Sequence, residues 1–304
     1  MTTSTSTTPR GAGLIERWHE FIDVDSDTPR ITIGEGGTPL VHAKRLGERL
    51  GVELHLKLEL TNPTGSFKDR GMCVAVARAV QEGATTLICA STGNTSASAA
   101  AFAAAAGLKC VVVVPSGKIA AGKLLQAQVA GALVIQIDGS FDDGLVAVRE
   151  LGKRPGMALV NSVNPYRIEG QKTGAWEVCE DLGMQAPDWL CIPVGNAGNI
   201  TAYWRGFKEW YERGLIDRLP QLLGVQAAGA APLVDGAPVE HPRRSPPRFE
   251  SASPHAATRR CRRSTNLAGA SSSAATSSCL PPTRRCRPRP GSSASRHRRS
   301  RWRG

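Results

Sequence analysis

The stretch Leu54–Arg70, LHLKLELTNPTGSFKDR, decides how the rest of the chain is read. Leu54, Leu56, Leu58 and Leu60 recur with period two, which predicts a strand from Leu54 to Leu60. Pro63 and Gly65 turn the chain at its end. A helix is then expected to begin Phe67-Lys68-Asp69-Arg70-Gly71-Met72, with Lys68 at its mouth. A lysine just after such a turn can be held rigidly and shielded from water, the setting a Schiff-base lysine needs. On local pattern alone, a solvated lysine in a helix's first turn explains it equally well.

Strand and helix alternate on both sides of this stretch. Upstream, residues 14–25 read as a short amphipathic element, Ile31–Ile33 as a strand, and residues 41–50 as a short strand or turn and a helix around Leu46 and Leu50, stopped by Gly51. Downstream, residues 68–82 carry Met72, Val76 and Val80 on one helical stripe. Strands follow at Thr86–Ala90, Lys109–Pro115, Leu133–Ile137, Met157–Val160, Trp189–Pro193 and Leu222–Gln226. Helices at Ala97–Ala106, Gly122–Val129, Phe141–Leu151, Gln171–Leu182 and about Ile200–Arg213 separate them, and Pro232 opens a loop. Such alternation predicts an α/β protein with a mostly parallel sheet. The rhythm stops near residue 240, which predicts that the last strand and helix faces are partly uncovered.

Composition breaks at the same place. Residues 1–240 carry 22 Lys+Arg against 25 Asp+Glu, whereas residues 241–304 carry 16 Arg, no Lys and one acidic residue, Glu250. The formal charge of +12 therefore belongs to the tail, not to the body of the chain. The tail has 8 Pro, 13 Ser and neither Ile nor Val, too little apolar surface to offset the entropy of ordering. It is expected to be disordered. Arg without Lys among Ala, Pro and Ser is what a GC-rich gene gives when read out of frame. An arginine-rich nucleic-acid-binding arm is the alternative.

The cysteines at 73, 89, 110, 179 and 191 are scattered singly, as buried thiols of a reducing compartment are, and no Cys/His cluster points to a metal. The opening MTTSTSTTPR has no apolar run, so no signal peptide is expected. No apolar stretch is long enough to span a bilayer, and a cytoplasmic location is the expectation.

Three loops could carry chemistry. Gly195-Asn196-Ala197-Gly198-Asn199 joins a strand to a helix, and its small residues would let backbone N–H groups wrap a phosphate at the helix's positive end. Ser91-Thr92-Gly93-Asn94-Thr95-Ser96 also follows a buried strand and would suit a carboxylate, or merely cap a helix. Asn161–Arg167 is polar after a strand and offers Arg167 to an anion, or to a surface ion pair.

Together these residues resemble a known family. GEGGTPL (34–40), NPTGSFKDRG (62–71), STGNTSAS (91–98), VNPYRIEGQKT (163–173) and PVGNAGNITAYWRGFKEW (193–210) are similar to threonine synthase, a pyridoxal-phosphate enzyme of the tryptophan-synthase-β, or fold type II, group. The resemblance covers residues 31–240 and implies two open parallel-sheet domains. Residues 1–52 would begin the large domain, 53–152 form the small one, and 153–240 continue a large domain that is truncated, leaving 241–304 as tail. It implies pyridoxal 5'-phosphate as cofactor and Lys68 as the lysine that forms its Schiff base. Asn94 would meet the cofactor's phenolic oxygen, and Gly195, Asn196, Ala197, Gly198 and Asn199 its phosphate. Ser91, Thr92 and Thr95 would receive the substrate carboxylate, and Lys57, Asn164 and Arg167 would lie near the substrate's own phosphate. The implied reaction converts O-phospho-L-homoserine and water to L-threonine and phosphate, by a protein that is commonly a homodimer.

The tail departs from that pattern. The family supplies a hydroxyl residue facing the pyridine nitrogen from a second glycine-rich motif, and GASSSAA (269–275), with no expected strand before it, is the nearest imitation. The chain as written is therefore expected to be inactive or poorly folded. Threonine/serine dehydratase, and more remotely nucleic-acid binding through the tail, are the competing readings.

Overall fold

Two helices cross so closely that their backbones touch, and the fold is built round that crossing. In the computed structural model, which describes residues 9, 11–116, 121–228, 230–235 and 264–266, helix α3 (Lys68–Gln81) meets a later helix at Gly71 and Gly170. A β-carbon at Gly170 would lie 1.9 Å from the Arg70 carbonyl oxygen, and one at Gly71 would lie 2.5 Å from that of Arg167. Only glycine permits this approach.

Before the crossing come α1 (Leu14–Trp18), β1 (Leu40–His42), α2 (Lys44–Leu50), β2 (His55–Lys57) and a 3₁₀ turn at Glu59–Thr61. After α3 the chain alternates through β3 (Thr86–Ala90), α4 (Asn94–Ala105), β4 (Lys109–Pro115), α5 (Ala121–Val129), β5 (Leu133–Ile137), α6 (Phe141–Leu151) and β6 (Met157–Leu159). Then come α7 (Tyr166–Asp181), β7 (Trp189–Pro193), α8 (Gly198–Glu212), β8 (Gln221–Val225), α9 (Pro232–Asp235) and β9 (Ser264–Asn266).

The first sheet is wholly parallel, in the order β5-β4-β3-β6. Val112 and Val114 are buried, as is the alanine-rich face of α4 around Phe102. Small side chains let a helix lie close on a sheet, which is why α4 can be nearly all alanine. β7 and β8 form a second parallel pair, which β9 extends antiparallel, and β1 and β2 form a hairpin. The α/β architecture with open parallel sheets is as expected. β6 lies past residue 152 yet pairs with β3, so the sheet boundary does not follow the expected 152/153 division.

Helix α7 is the centre of the core. α3 lies on one flank, while α8 approaches at Gly206, where a β-carbon would lie 2.5 Å from the Lys172 carbonyl oxygen. Trp176 Nε1 donates to the Gly206 carbonyl at 2.9 Å. Trp176 packs with Trp18 and stacks on Trp210, at 5.2 and 5.9 Å between ring centroids, so α1 docks on this pair through an aromatic cluster.

Several local expectations need correction. The strand over Leu54–Leu60 is confined to His55–Lys57, and Leu56 and Leu60 are exposed, so the period-two leucines do not mark a core face. The chain instead turns at Glu59 to meet Arg70. Ile31–Ile33 is not a strand. The buried Glu35 carboxylate accepts from Thr32 Oγ1, the Ile33 N–H and the Leu14 N–H, each at 3.0 Å, and these bonds replace a ladder. α7 begins five residues before the expected Gln171, because Asn164 Oδ1 accepts from the Tyr166 N–H and Pro165 suits a helix start. Pro232 opens the short helix α9 rather than a loop.

Cys73, Cys89, Cys110 and Cys179 are buried, but Cys191 is exposed. Its neighbour Trp189 and, on β8, Val225 are each nearly half exposed, so this sheet is uncovered along part of its surface. The expectation of disorder for 241–304 falls outside the described residues, apart from β9. A strand does precede the GASSSAA run.

The crossing yields a stability prediction. Gly170→Ala should destabilise the chain by about 3 kcal/mol or more, at or above the upper end of overpacking costs. Gly122→Ala, at an exposed position of α5 with open space for a β-carbon, should be neutral to stabilising, by up to about 1 kcal/mol. Urea unfolding midpoints of the two variants check both.

Candidate active site

Lys68 opens α3, with its N–H 3.4 Å from Ser66 Oγ and its ammonium 4.4 Å from the centre of the Phe67 ring. No carboxylate lies within ion-pair distance of it among the described residues. Burial lowers its pKa to about 8, and the positive charge of Arg167 pushes in the same direction. Such an amine is substantially neutral, hence nucleophilic, near pH 8.

Arg167, in the first turn of α7, is buried at 1% exposure. Nη1 donates to the Val160 carbonyl at 2.8 Å, whereas Nε and Nη2 have no hydrogen-bond partner. Those two nitrogens form one edge of the guanidinium, the fork that grips an oxyanion with two parallel bonds. Burial lowers this guanidinium's pKa to about 10, with Cys89 and Asp69 pulling the other way.

The loops converge through side-chain splints. Asn161, at the end of β6, accepts from the Ala90 N–H at 3.0 Å and donates to the Ala90 carbonyl at 2.9 Å, fixing the strand end from which Ser91–Asn94 departs. Asn196 Nδ2 then donates to Ser162 Oγ at 2.7 Å, joining the 195–199 loop to the same segment. These loops leave the carboxyl ends of parallel strands, where open α/β sheets place ligands.

Asn94 begins α4 and is half-buried, and its side chain makes no hydrogen bond among the described residues. Thr92 and Thr95 are half-buried beside it, and Ser91 Oγ accepts from the Gly93 N–H at 3.1 Å. Ala197 takes a left-handed conformation, φ 62°, so that α8 can start at Gly198. A β-carbon at Gly195 would meet nothing within 4 Å, so the loop is open there. Asn199 Oδ1 is buried without a partner.

Two expected contacts lie elsewhere. Lys57, expected near the substrate's phosphate, donates to the Thr38 carbonyl at 2.7 Å and to Asp181 at 3.1 Å, and pairs with Glu177 at 3.0 Å. Asn164 donates to the Leu159 carbonyl and accepts from the Tyr166 N–H, each at 3.0 Å, and so starts α7 rather than facing an anion. Conversely, Asn161 and Ser162 are site-building residues that local pattern did not single out. The only signal for them was a polar run directly after a buried strand.

The residues fit pyridoxal phosphate. A lysine amine of lowered pKa with no carboxylate beside it, and an open loop of small residues at a helix start, suit a ligand with one carbonyl end and one phosphate end. A family model described as pyridoxal-phosphate-dependent enzyme matches residues 31–275. The chain belongs to that family. The match runs beyond residue 240, where the resemblance was expected to stop. The chain is similar to the threonine synthase of Synechocystis sp., 56% identical over 235 residues that cover 77% of this chain and 61% of that protein. It is likewise similar to the threonine synthase of Halalkalibacterium halodurans, 57% identical over 230 residues, 76% of this chain and 64% of that one. It thus spans 61–64% of the length of these relatives. Among solved structures, the processed form of threonine deaminase isoform 2 from Solanum lycopersicum aligns with a TM-score of 0.57 and 26% identity, over 66% of this chain and 55% of that one. The fold is that of the fold type II pyridoxal-phosphate enzymes, and pyridoxal phosphate is the family's cofactor. No helix among the described residues is long and apolar enough to cross a membrane.

Competitive labelling with an amine-directed reagent should give Lys68 a midpoint near pH 8, against about 10.4 for ordinary lysines. In Arg167→Met the midpoint should move up, because the neighbouring positive charge is gone. Stability follows the same sign. Between about pH 8 and the ordinary lysine value the unfolded chain holds more protons at this position, so Lys68's contribution to stability rises with pH there.

Proposed function

We propose that this chain carries the chemistry of a threonine synthase, acting on O-phospho-L-homoserine and water to give L-threonine and phosphate. The observation that carries the reading is the unpartnered Nε/Nη2 edge of buried Arg167. It offers a second anion site beside Lys68, distinct from the small-residue loop at 195–199. A dehydratase acting on threonine or serine has one phosphate to bind, the cofactor's. An enzyme that removes phosphate from its substrate has two.

Bound pyridoxal phosphate supplies an electron sink for negative charge developing at the substrate's carbons. The chain's residues do the rest. Gly195–Asn199 hold the cofactor phosphate at the start of α8, and Asn94 orients the cofactor's phenolic oxygen. Ser91, Thr92 and Thr95 receive the substrate carboxylate at the start of α4. Lys68 takes protons from Cα and Cβ and returns one to Cγ and, after water has added at Cβ, one to Cα, work that suits an amine with a pKa of about 8. The Arg167 fork holds the substrate's phosphate and offsets its charge as the Cγ–O bond breaks. Water supplies the hydroxyl at Cβ. Lys57 and Asn164 have no part in this scheme, because their polar atoms are already engaged.

We further propose that the chain as written binds cofactor but turns over poorly, since GASSSAA (269–275) is its nearest sequence likeness to the glycine-rich motif from which the family supplies the hydroxyl for the pyridine nitrogen. A cytoplasmic homodimer fits this reading.

On adding pyridoxal phosphate, the full chain should develop a visible absorption band that borohydride fixes to Lys68 and that Lys68→Ala lacks. O-phosphohomoserine should perturb the band, and any turnover should release phosphate rather than a 2-oxo acid from threonine. In Arg167→Gln, phosphohomoserine should bind at least about tenfold more weakly with cofactor uptake kept, as expected for losing a charged hydrogen-bond pair worth about 1.5–3 kcal/mol. A band perturbed by threonine and not by phosphohomoserine would favour the dehydratase. Translating the coding DNA around codons 236–245 in all three frames tests the out-of-frame reading of the tail.

A further inference from the structure

The turn that delivers Lys68 is fastened from two sides. On its own side, the Asp69 carboxylate accepts from the Thr64 N–H at 2.8 Å and from Thr64 Oγ1 at 2.6 Å. The Gly65 N–H donates to the Asn62 carbonyl at 2.7 Å, and Gly65 takes φ 79°, a left-handed value that suits glycine. Asn62 Oδ1 accepts from the Gly36 N–H at 3.0 Å, tying the turn to the GEGGTPL loop. These bonds leave the Thr64 carbonyl to be matched from elsewhere.

Lys123 of α5 supplies that match. Its ammonium donates to the Thr64 carbonyl at 2.7 Å, and a β-carbon at Gly65 would lie 3.5 Å from its Nζ. No carboxylate lies within ion-pair distance of Lys123 among the described residues, so its hydrogen bond to the turn is not a by-product of a salt bridge. α5 packs on α4 in the layer of the four-stranded sheet, whereas Asp69 and Asn62 anchor the turn to α3 and its neighbours. Lys123 is thus the side chain from α5 that reaches the turn carrying Lys68.

We propose that Lys123 is a positioning residue for Lys68, its ammonium holding the Thr64 carbonyl so that the turn presents the Lys68 amine at a fixed, partly dehydrated position. The inference rests on Lys68 being the reactive amine, and its test needs no cofactor, so it can fail independently of the functional reading. The charged groups around this turn are Arg167 from α7, Asp69 of α3 itself and Lys123 from α5, with the neutral Cys89 thiol of β3 facing Arg167. Asp69 is committed to Thr64.

The experiment compares the full wild-type chain with Lys123→Met and Lys123→Arg, by amide hydrogen exchange and by the pH profile of Lys68 labelling. In Lys123→Met, the amides of Gly65–Lys68 should exchange about tenfold faster, as expected for losing one hydrogen bond from a charged donor. Amides inside α3 should be unchanged. The Lys68 midpoint should rise from near pH 8 toward the ordinary lysine value as the freed amine hydrates. Lys123→Arg, which keeps a cation able to reach the carbonyl, should restore both. Faster exchange with an unmoved Lys68 midpoint would make the contact merely structural and overturn the proposal. So would unchanged exchange at 65–68, or a failure of Lys123→Arg to rescue. Wild-type chain that shows the labelling profile but takes up no pyridoxal phosphate would defeat the cofactor reading and leave this assignment standing.

Discussion

The constraint on which the rest depends is the double fork of Arg70. Its guanidinium is fully buried, and two carboxylates clasp it. Glu59 accepts from Nε and Nη2 at 2.7 and 2.8 Å, and Glu177 from Nη1 and Nη2, each at 2.7 Å. Burial alone would raise both carboxyls, yet the charge of Arg70 outweighs it, and both are held below their ordinary values. Burying three charges costs several kcal/mol per ion, so the cluster is weak evidence of net stability. Losing one member is another matter, typically about 3–5 kcal/mol, because the survivors stay buried and unpaired. The cluster's value lies in what it fixes. It binds the 3₁₀ turn, α3 and α7, and through Thr38 and Gly37 the GEGGTPL loop, two residues from Lys68 and at the same crossing where Gly71 and Gly170 let the backbones meet.

Set beside that cluster, the charges of the candidate site are conspicuously uncompensated. Arg70 has a partner for each of its nitrogens, Lys57 has two carboxylates and a carbonyl, and buried Lys172 pairs with Glu169 and Glu209. Lys68 has no carboxylate, and Arg167 leaves one guanidinium edge unused. Lys68 is half-buried and Arg167 fully so, and exposure does not separate them from the others. The presence of a carboxylate does: buried Arg17, which also leaves Nε and Nη1 without hydrogen bonds, still has Glu180. A fold that neutralises its structural cations and leaves two neighbouring ones short of partners stores a local positive field that an anionic ligand can complete. Burial, with the charge of Arg167 acting in the same direction, loosens the hold of the Lys68 amine on its proton, so one arrangement serves binding and reactivity.

Much of this was legible in the sequence, and the failures share one cause. Alternating elements from Thr86 to Val225, the helix start at Lys68 and the loops at 91–96 and 195–199 follow from short-range pattern, and the structure keeps them. What pattern misjudged depends on partners far along the chain. Lys57 looked like a cation for a substrate because its carboxylates, Glu177 and Asp181, lie over a hundred residues away. Arg70 meets Glu177 across 107 residues, and nothing in SFKDR announces it. The expected start of α7 falls late because Arg167, Glu169, Lys172 and Glu177 are all buried on it, which defeats the rule that charged residues mark the exposed face.

The same distinction bears on why a chain spanning 61–64% of its relatives can still carry a recognisable site. The groups proposed for the two ends of the cofactor come from one run of chain, between Thr64 and Asn199. Splints internal to that run tie its loops together, Asn161 to Ala90, Asn196 to Ser162 and Thr64 to Asp69. None of those bonds depends on residues beyond 225. The partner of the pyridine nitrogen is the one function that family resemblance assigns outside this run, in the region where Arg replaces Lys and composition changes. On the roles proposed above, capture of the cofactor and its use as an electron sink would draw on different parts of the chain. Binding without turnover would then be a coherent state for this protein, because the residues proposed for the ligand's ends are held independently of the one that would tune its ring.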